Sequence, residues 1–170
     1  AYYQEFGGAV VSAAINKYVY VNVNQKFDEG IRVGYSKNEE VTRVEQIAHP
    51  LVRNALQYLA IQGGVEITTI ADIPSSGTGL GSSSTFTVGL LHALQEYLGK
   101  KVGASTLAEQ ACHIEIDLCA EPIGKQDQYA AAFGGLNLIE FLPSGQVKVS
   151  PITCSPQTAL TLQQNLLMFY

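Results

Sequence analysis

The sequence predicts an α+β fold: strand-like and helical stretches follow one another irregularly along 170 residues, with no repeating βαβαβ series. Two observations carry this. Apolar residues alternate at period two over 17–24 and 65–70, whereas spacings of three and four govern the stretch after residue 83. Hydrophobic residues make up 46% of the chain and charged residues 15%, a globular composition long enough to bury one core.

Taken in order, two strand-like runs lie between residues 10 and 24, and the second places Val19, Val21 and Val23 on one face. Phe27-Asp28-Glu29-Gly30 reads as a turn, and 31–35 as the hairpin partner of the strand before it. His49-Pro50 opens a helix, since Pro is tolerated in the first turn. Leu51, Leu56, Leu59 and Ala60 give it an apolar stripe, and Gly63-Gly64 end it. A strand at 65–70 leads into a loop over 72–82 and then a helix from about 83 to 98, closed by Gly99. Phe86, Leu90, Leu91, Leu94 and Leu98 form its buried stripe. Thr106-Leu107-Ala108-Glu109 reads as the capping box of a further helix running to about 120. After Pro122 and Gly124 a short helix carries 126–133, and 136–141 pairs with 146–150 around Leu142-Pro143-Ser144-Gly145. The run from Leu166 to Tyr170 reads as the middle of a buried strand, and the chain opens on Ala1 without a Met. Both ends suggest a piece of a longer protein.

Composition excludes some functions. A net charge of −5 with no run of Lys or Arg offers no footprint for nucleic acid. No apolar run approaches the roughly 18 residues of a membrane span, and no signal peptide is visible. Cys112, Cys119 and Cys154 form an odd set without a CxxC pair, which suits core filling in a reducing compartment better than metal binding. These features predict a cytoplasmic protein. His49, His92 and His113 lack metal spacing, and no G-x-S-x-G elbow surrounds any serine.

Most of the chemistry sits in Pro74-Ser75-Ser76-Gly77-Thr78-Gly79-Leu80-Gly81-Ser82-Ser83-Ser84, which leaves a strand and enters a helix. Glycines at 77, 79 and 81 permit positive φ and close approach of a ligand to the backbone. Consecutive N–H groups in such a turn make a concave anion nest, and the helix dipole adds about 0.3–1 kcal/mol per negative charge. Serine hydroxyls at 82–84 add donors, N-cap chemistry and a hard oxygen for Mg²⁺. A plain Gly/Ser connection is the alternative. A Walker A loop would need Gly-Lys-Ser/Thr, and a dinucleotide fingerprint GxGxxG with a later acid; neither spelling is present.

Glu115, Asp117, Glu121 and Asp127 fall within thirteen residues. A helix does not bring 115 and 117 to one face, so a solvated acidic surface is a fair reading of part of this set. Gly124-Lys125-Gln126-Asp127-Gln128 argues otherwise for Asp127, because it places a carboxylate among amides at a helix start.

The spelling Pro-x-x-x-Gly-x-Gly-Leu-Gly-Ser-Ser-Ser resembles the central motif of the GHMP kinases, the superfamily of galactokinase, homoserine kinase, mevalonate kinase and phosphomevalonate kinase. The resemblance implies a two-layer sheet-and-helix N-terminal domain with a left-handed βαβ unit, over residues 1–160, with 161–170 beginning a connection onward. The family's first and third motifs are absent. It implies that Pro74, Gly77, Gly79, Leu80, Gly81, Ser82, Ser83 and Ser84 bind ATP. It further implies that Ser83 and Glu115 hold Mg²⁺, and that Asp127 is the catalytic aspartate. Residues 73–84 and 124–137 are most similar to the heptose 7-phosphate kinase branch, which phosphorylates the anomeric hydroxyl to give a 1,7-bisphosphate. On that resemblance the partners are ATP and a phosphorylated sugar, with Lys125 as a candidate for the sugar's phosphate or as a plain surface residue. Fucokinase-like or galactokinase-like activity, a non-catalytic nucleotide-binding domain, and a homodimeric assembly stay open.

Overall fold

The computed structural model describes residues 3–73 and 79–167. Its elements begin with α1 (Tyr3–Phe6), β1 (Gly8–Ala13), β2 (Val19–Gln25), β3 (Ile31–Gly34), β4 (Asn38–Val41), a 3₁₀ turn (Val44–Gln46), α2 (Pro50–Tyr58) and β5 (Val65–Ala71). They continue with α3 (Ser82–Tyr97), α4 (Ala104–Cys112), a π-helical turn (His113–Leu118), α5 (Gln126–Phe133), β6 (Leu136–Phe141), β7 (Val147–Pro151) and α6 (Pro156–Gln164). The fold is α+β. Among the described residues, no helix is long and apolar enough to cross a membrane.

Two compact units form, Ala1–Ala14 with Gly134–Tyr170, and Ile15–Phe133. The first holds an antiparallel sheet of order β1-β6-β7. Alternate residues of β6 turn inward, and Asn137, Ile139 and Phe141 are buried as period two requires. Helix α6 opens on Ser155, whose hydroxyl accepts from Thr158 N–H, with Pro156 in the first turn. Leu166 and Leu167 are exposed and lie outside any strand, contrary to the sequence expectation; Met168 to Tyr170 lie outside the described residues.

The second unit carries a mixed sheet of order β2-β5-β3-β4, with β5 antiparallel to β2 and parallel to β3. Ile31, Val33, Val65 and Ile67 meet Leu51, Val52, Ala55 and Leu56 of α2, Leu90, Leu91 and Leu94 of α3, and Leu107 of α4 in one core. Helix α3 packs on β2, and α4 and α5 pack against each other and against α3. Cys112 belongs to the buried set, and burial pushes its thiol up to about 12.

The hairpin expected between β2 and β3 does not form, because β5 lies between them. The reason is at Gly63-Gly64. Gly64 accepts from Lys26 N–H at 2.8 Å and donates its own N–H to Glu29 O at 3.0 Å, which spreads the β2–β3 connection and admits the start of β5. A Cβ at Gly63 would fall 2.3 Å from the Glu29 carbonyl oxygen, so this glycine serves close approach, not helix termination. Gly63→Ala should therefore lower unfolding free energy by about 1–3 kcal/mol. Urea denaturation that shows no loss would disprove the contact's importance.

Other boundaries shift for local reasons. Helix α2 stops at Tyr58 because Ala60 adopts φ 58°, a left-handed position that a non-glycine residue rarely takes. Helix α4 begins at Ala104, two residues before the expected capping box, and Ser105 Oγ donates to Glu109 at 3.1 Å within it. The expected continuation to about 120 is π-helical from His113, with Cys119 N–H reaching back five residues to Ile114 O.

Candidate active site

Helix α3 starts from Gly81, whose φ of 68° makes it a left-handed N-cap without a capping side chain. The first intrahelical bond is Thr85 N–H to Gly81 O at 2.9 Å, so the N–H groups before Thr85 precede the intrahelical ladder. Gly79 has φ 64°, a conformation that a side chain would strain. The expectation that the serines themselves cap the helix is corrected: Ser82, Ser83 and Ser84 are its first three residues.

Their hydroxyls do something else. Ser83 Oγ donates to Glu115 Oε1 at 3.3 Å and Ser84 Oγ to Glu115 Oε2 at 2.8 Å. Thr87, one turn further on, donates to Glu115 Oε1 at 2.8 Å and also contacts Ser83 O at 3.1 Å. Gln128 Nε2 of α5 donates to Glu115 Oε2. Glu115 is thus fully buried with both oxygens accepting, as a buried carboxylate requires. Of the three hydroxyls, that of Ser84 and that of Thr87 belong to buried residues, while Ser83 is exposed. The π-helical turn carries Glu115, and Glu121 N–H donates to Glu115 O at 3.0 Å, which pins the backbone behind the carboxylate.

Asp127 lies on the first turn of α5 and is exposed. A Cβ built on Gly81 would stand 3.2 Å from Asp127 Cγ and 3.3 Å from its Oδ2, so the carboxylate abuts the entrance of α3. The structure therefore brings Gly81, Ser83, Glu115 and Asp127 to one place. Leu80 and Ser82 flank that entrance, Leu80 exposed and Ser82 half-buried. Pro74 and Gly77 lie outside the described residues. Lys125 is half-buried, and its charge lies near enough to Cys112 to oppose the upward push of burial on that thiol. Asp117 takes no part: its carboxylate pairs with His113 Nδ1 at 2.8 Å on the surface.

Thr87 and Gln128 are hydrogen-bond partners of Glu115 that sequence reasoning missed. Thr87 carried one usable signal, a hydroxyl four residues after Ser83 in an otherwise apolar helix stripe. Gln128 stood beside Asp127 in the amide cluster.

Chemically, an exposed serine hydroxyl and a buried carboxylate oxygen 3.3 Å apart offer two hard oxygens. Neighbouring ligands of an octahedral Mg²⁺ at about 2.0–2.1 Å lie roughly 3 Å apart, so the pair fits one edge of such a shell. Among the described residues, no group of three or more His, Cys, Asp or Glu could form a protein-only cage. A cation here would thus draw its other ligands from phosphate and water, the usual habit of Mg²⁺.

Solved structures share the fold, and a family model gives the class. The chain superposes on the heptose 1-phosphate kinase of Bacteroides thetaiotaomicron with a TM-score of 0.84 and 30% identity, over 92% of this chain and 55% of that one. The mevalonate kinase of Methanococcus jannaschii shares the fold at a TM-score of 0.69 and 19% identity, over 89% of this chain and 51% of that one. The family model of the GHMP kinases N terminal domain matches residues 43–135, over half of the chain. This chain belongs to the GHMP kinase family. The D-glycero-alpha-D-manno-heptose 7-phosphate kinase of Campylobacter jejuni is 38% identical to it over 102 residues, 60% of this chain and 30% of that protein. The chain spans little more than half the length of the solved relatives, and the alignment to the curated one covers 30% of its length.

Proposed function

We propose that the full-length protein is an ATP-dependent sugar kinase that phosphorylates the anomeric hydroxyl of D-glycero-D-manno-heptose 7-phosphate to the 1,7-bisphosphate. The observation that carries the reading is the meeting of Ser83, Glu115 and Asp127 at the glycine entrance of α3. Backbone N–H groups over residues 79–84 face the phosphates, helped by the positive end of the helix dipole. The serine oxygens divide their work: Ser84 is committed to Glu115 through its hydroxyl and offers a ligand only its backbone. Ser83 and Glu115 would hold Mg²⁺, which would supply charge neutralisation to the phosphates. Asp127 orients the acceptor hydroxyl and takes its proton as the oxygen attacks the γ-phosphorus and the bond to the β–γ bridging oxygen breaks. ADP and the sugar phosphate are the products. Pro74 and Gly77 are assigned to ATP binding on the family resemblance, and Lys125 is a candidate to attract the acceptor's phosphate. Dependence on ATP would keep such an enzyme in the cytoplasm.

The two heptose-kinase relatives differ in name, one for a 7-phosphate and one for a 1-phosphate. The 7-phosphate reading rests on the resemblance of residues 73–84 and 124–137 and on the relative named for a 7-phosphate, 38% identical over 102 residues. ADP release should be fastest with heptose 7-phosphate among heptose 7-phosphate, fucose, galactose and mannose, and ³¹P spectra should show a new anomeric phosphate. Faster turnover of fucose or galactose would move the enzyme to another sugar-1-kinase of the family. ATP binding without transfer to any sugar would reduce it to a nucleotide-binding domain.

A further inference from the structure

Gln128 sits one residue after Asp127 on the first turn of α5, and neighbouring positions on a helix point about 100° apart. Asp127 accordingly faces outward against Gly81, while Gln128 is fully buried and faces inward to Glu115. One helical turn thus carries the carboxylate at the α3 entrance and the amide that grips the buried carboxylate beneath it. The amide's orientation has no freedom. A carboxylate only accepts, so Nε2 must face Glu115 Oε2, and Oε1 is turned elsewhere.

Elsewhere it finds nothing: among the described residues, Gln128 Oε1 is buried and accepts no hydrogen bond. A buried acceptor without a partner costs free energy, and the bond from Nε2 to the Glu115 carboxylate offsets that cost. Thr87 and Ser83 hold Oε1 of the same carboxylate, and Gln128 shares the hold on Oε2 with Ser84, so the two grips together fix the rotation that presents Oε1 to the exposed Ser83 hydroxyl.

The geometry points to Gln128 as a positioning residue that orients Glu115 toward Ser83 and ties the place of Asp127 to that orientation. This rests on the reading of Ser83 and Glu115 as the cation's protein ligands. Outer partners of a metal ligand typically change metal affinity by about 10–100-fold when removed.

The test uses the full-length protein and Gln128→Met, which keeps volume and shape but removes the donor. Mn²⁺ binding is followed by electron paramagnetic resonance with ADP present, and ADP binding without metal by calorimetry. The expected result is Mn²⁺ affinity weakened about 10–100-fold, with metal-free ADP affinity within about threefold of wild type. Mn²⁺ affinity within threefold of wild type overturns the assignment. Parallel loss of metal-free ADP binding also overturns it, because the residue then merely supports the fold. If Gln128→Met does not fold, Gln128→Asn carries the same measurement, since it keeps an amide but shortens it beyond reach of Glu115; wild-type Mn²⁺ binding there overturns the proposal. A wild-type protein that binds no Mn²⁺ beside ADP fails at the earlier step, the metal reading itself, and takes this proposal with it.

Discussion

Asp127→Ala in the full-length protein is expected to lower kcat at least about a hundredfold while nucleotide affinity stays within about threefold. A positioned acid or base contributes about 10²–10⁴-fold, and a hundredfold corresponds to about 2.7 kcal/mol of transition-state stabilisation. The structural role of the side chain is smaller. An acid in the first turn of a surface helix is worth about 0.3–1 kcal/mol, so loss of fold stability cannot account for a hundredfold effect. Its exposed carboxylate lies against Gly81 at the entrance of α3, and under the proposed function the acceptor hydroxyl and the terminal phosphate would meet there. Asp127→Asn refines the result: it keeps a hydrogen-bonding group in place but accepts no proton, so recovery in Asn would assign orientation and not proton removal. Near-normal turnover in Asp127→Ala would remove the residue from the chemistry.

The second large effect belongs to Glu115. Glu115→Ala leaves the Ser84 and Thr87 hydroxyls and the Gln128 amide in a buried space without their acceptor. Each buried group stripped of its partner costs about 1–3 kcal/mol, so the variant should lose about 3 kcal/mol or more of stability. Stability and activity would fall together, which leaves the role of the charge unresolved. Glu115→Gln separates them. Serine and threonine hydroxyls both donate and accept, so they can turn to meet an amide of the same shape, and the loss of stability should be only about 1–2 kcal/mol. Metal-dependent nucleotide binding should nevertheless fall sharply, because the negative charge that attracts the cation is gone. A Gln variant with unchanged metal dependence would leave Glu115 as a core residue only.

These roles were partly legible in the sequence. The strand-to-helix glycine loop, the α3 stripe and helix α5 follow from spacing and punctuation, because each is settled within a few neighbouring residues. Glu115 is different. Residue chemistry alone left it among surface acids, since its four partners come from α3 and α5 and no periodicity brings those elements together. Only the resemblance singled it out. The π-helical turn that aims it has no sequence signature at this spacing. The β2–β3 hairpin failed for a similar reason. Period-two alternation names the faces of a strand but not its neighbours, and the approach of Gly63 to Glu29 is a contact between distant segments. The left-handed Ala60 just beyond the end of α2 breaks the usual preference for glycine at such a position. Helix α6 was not read from the sequence, although Ser155-Pro156 supplies an N-cap followed by proline in the first turn.

Amide resonances of the ¹⁵N-labelled full-length protein, followed during titration with MgATP, test the phosphate site most directly. The largest shifts should fall on the backbone N–H groups of Gly79, Gly81, Ser82, Ser83 and Ser84, with Asp127 and Glu115 close behind, and magnesium should be needed for the full change. Saturable ATP binding that leaves those amides unmoved and shifts resonances elsewhere would contradict the account.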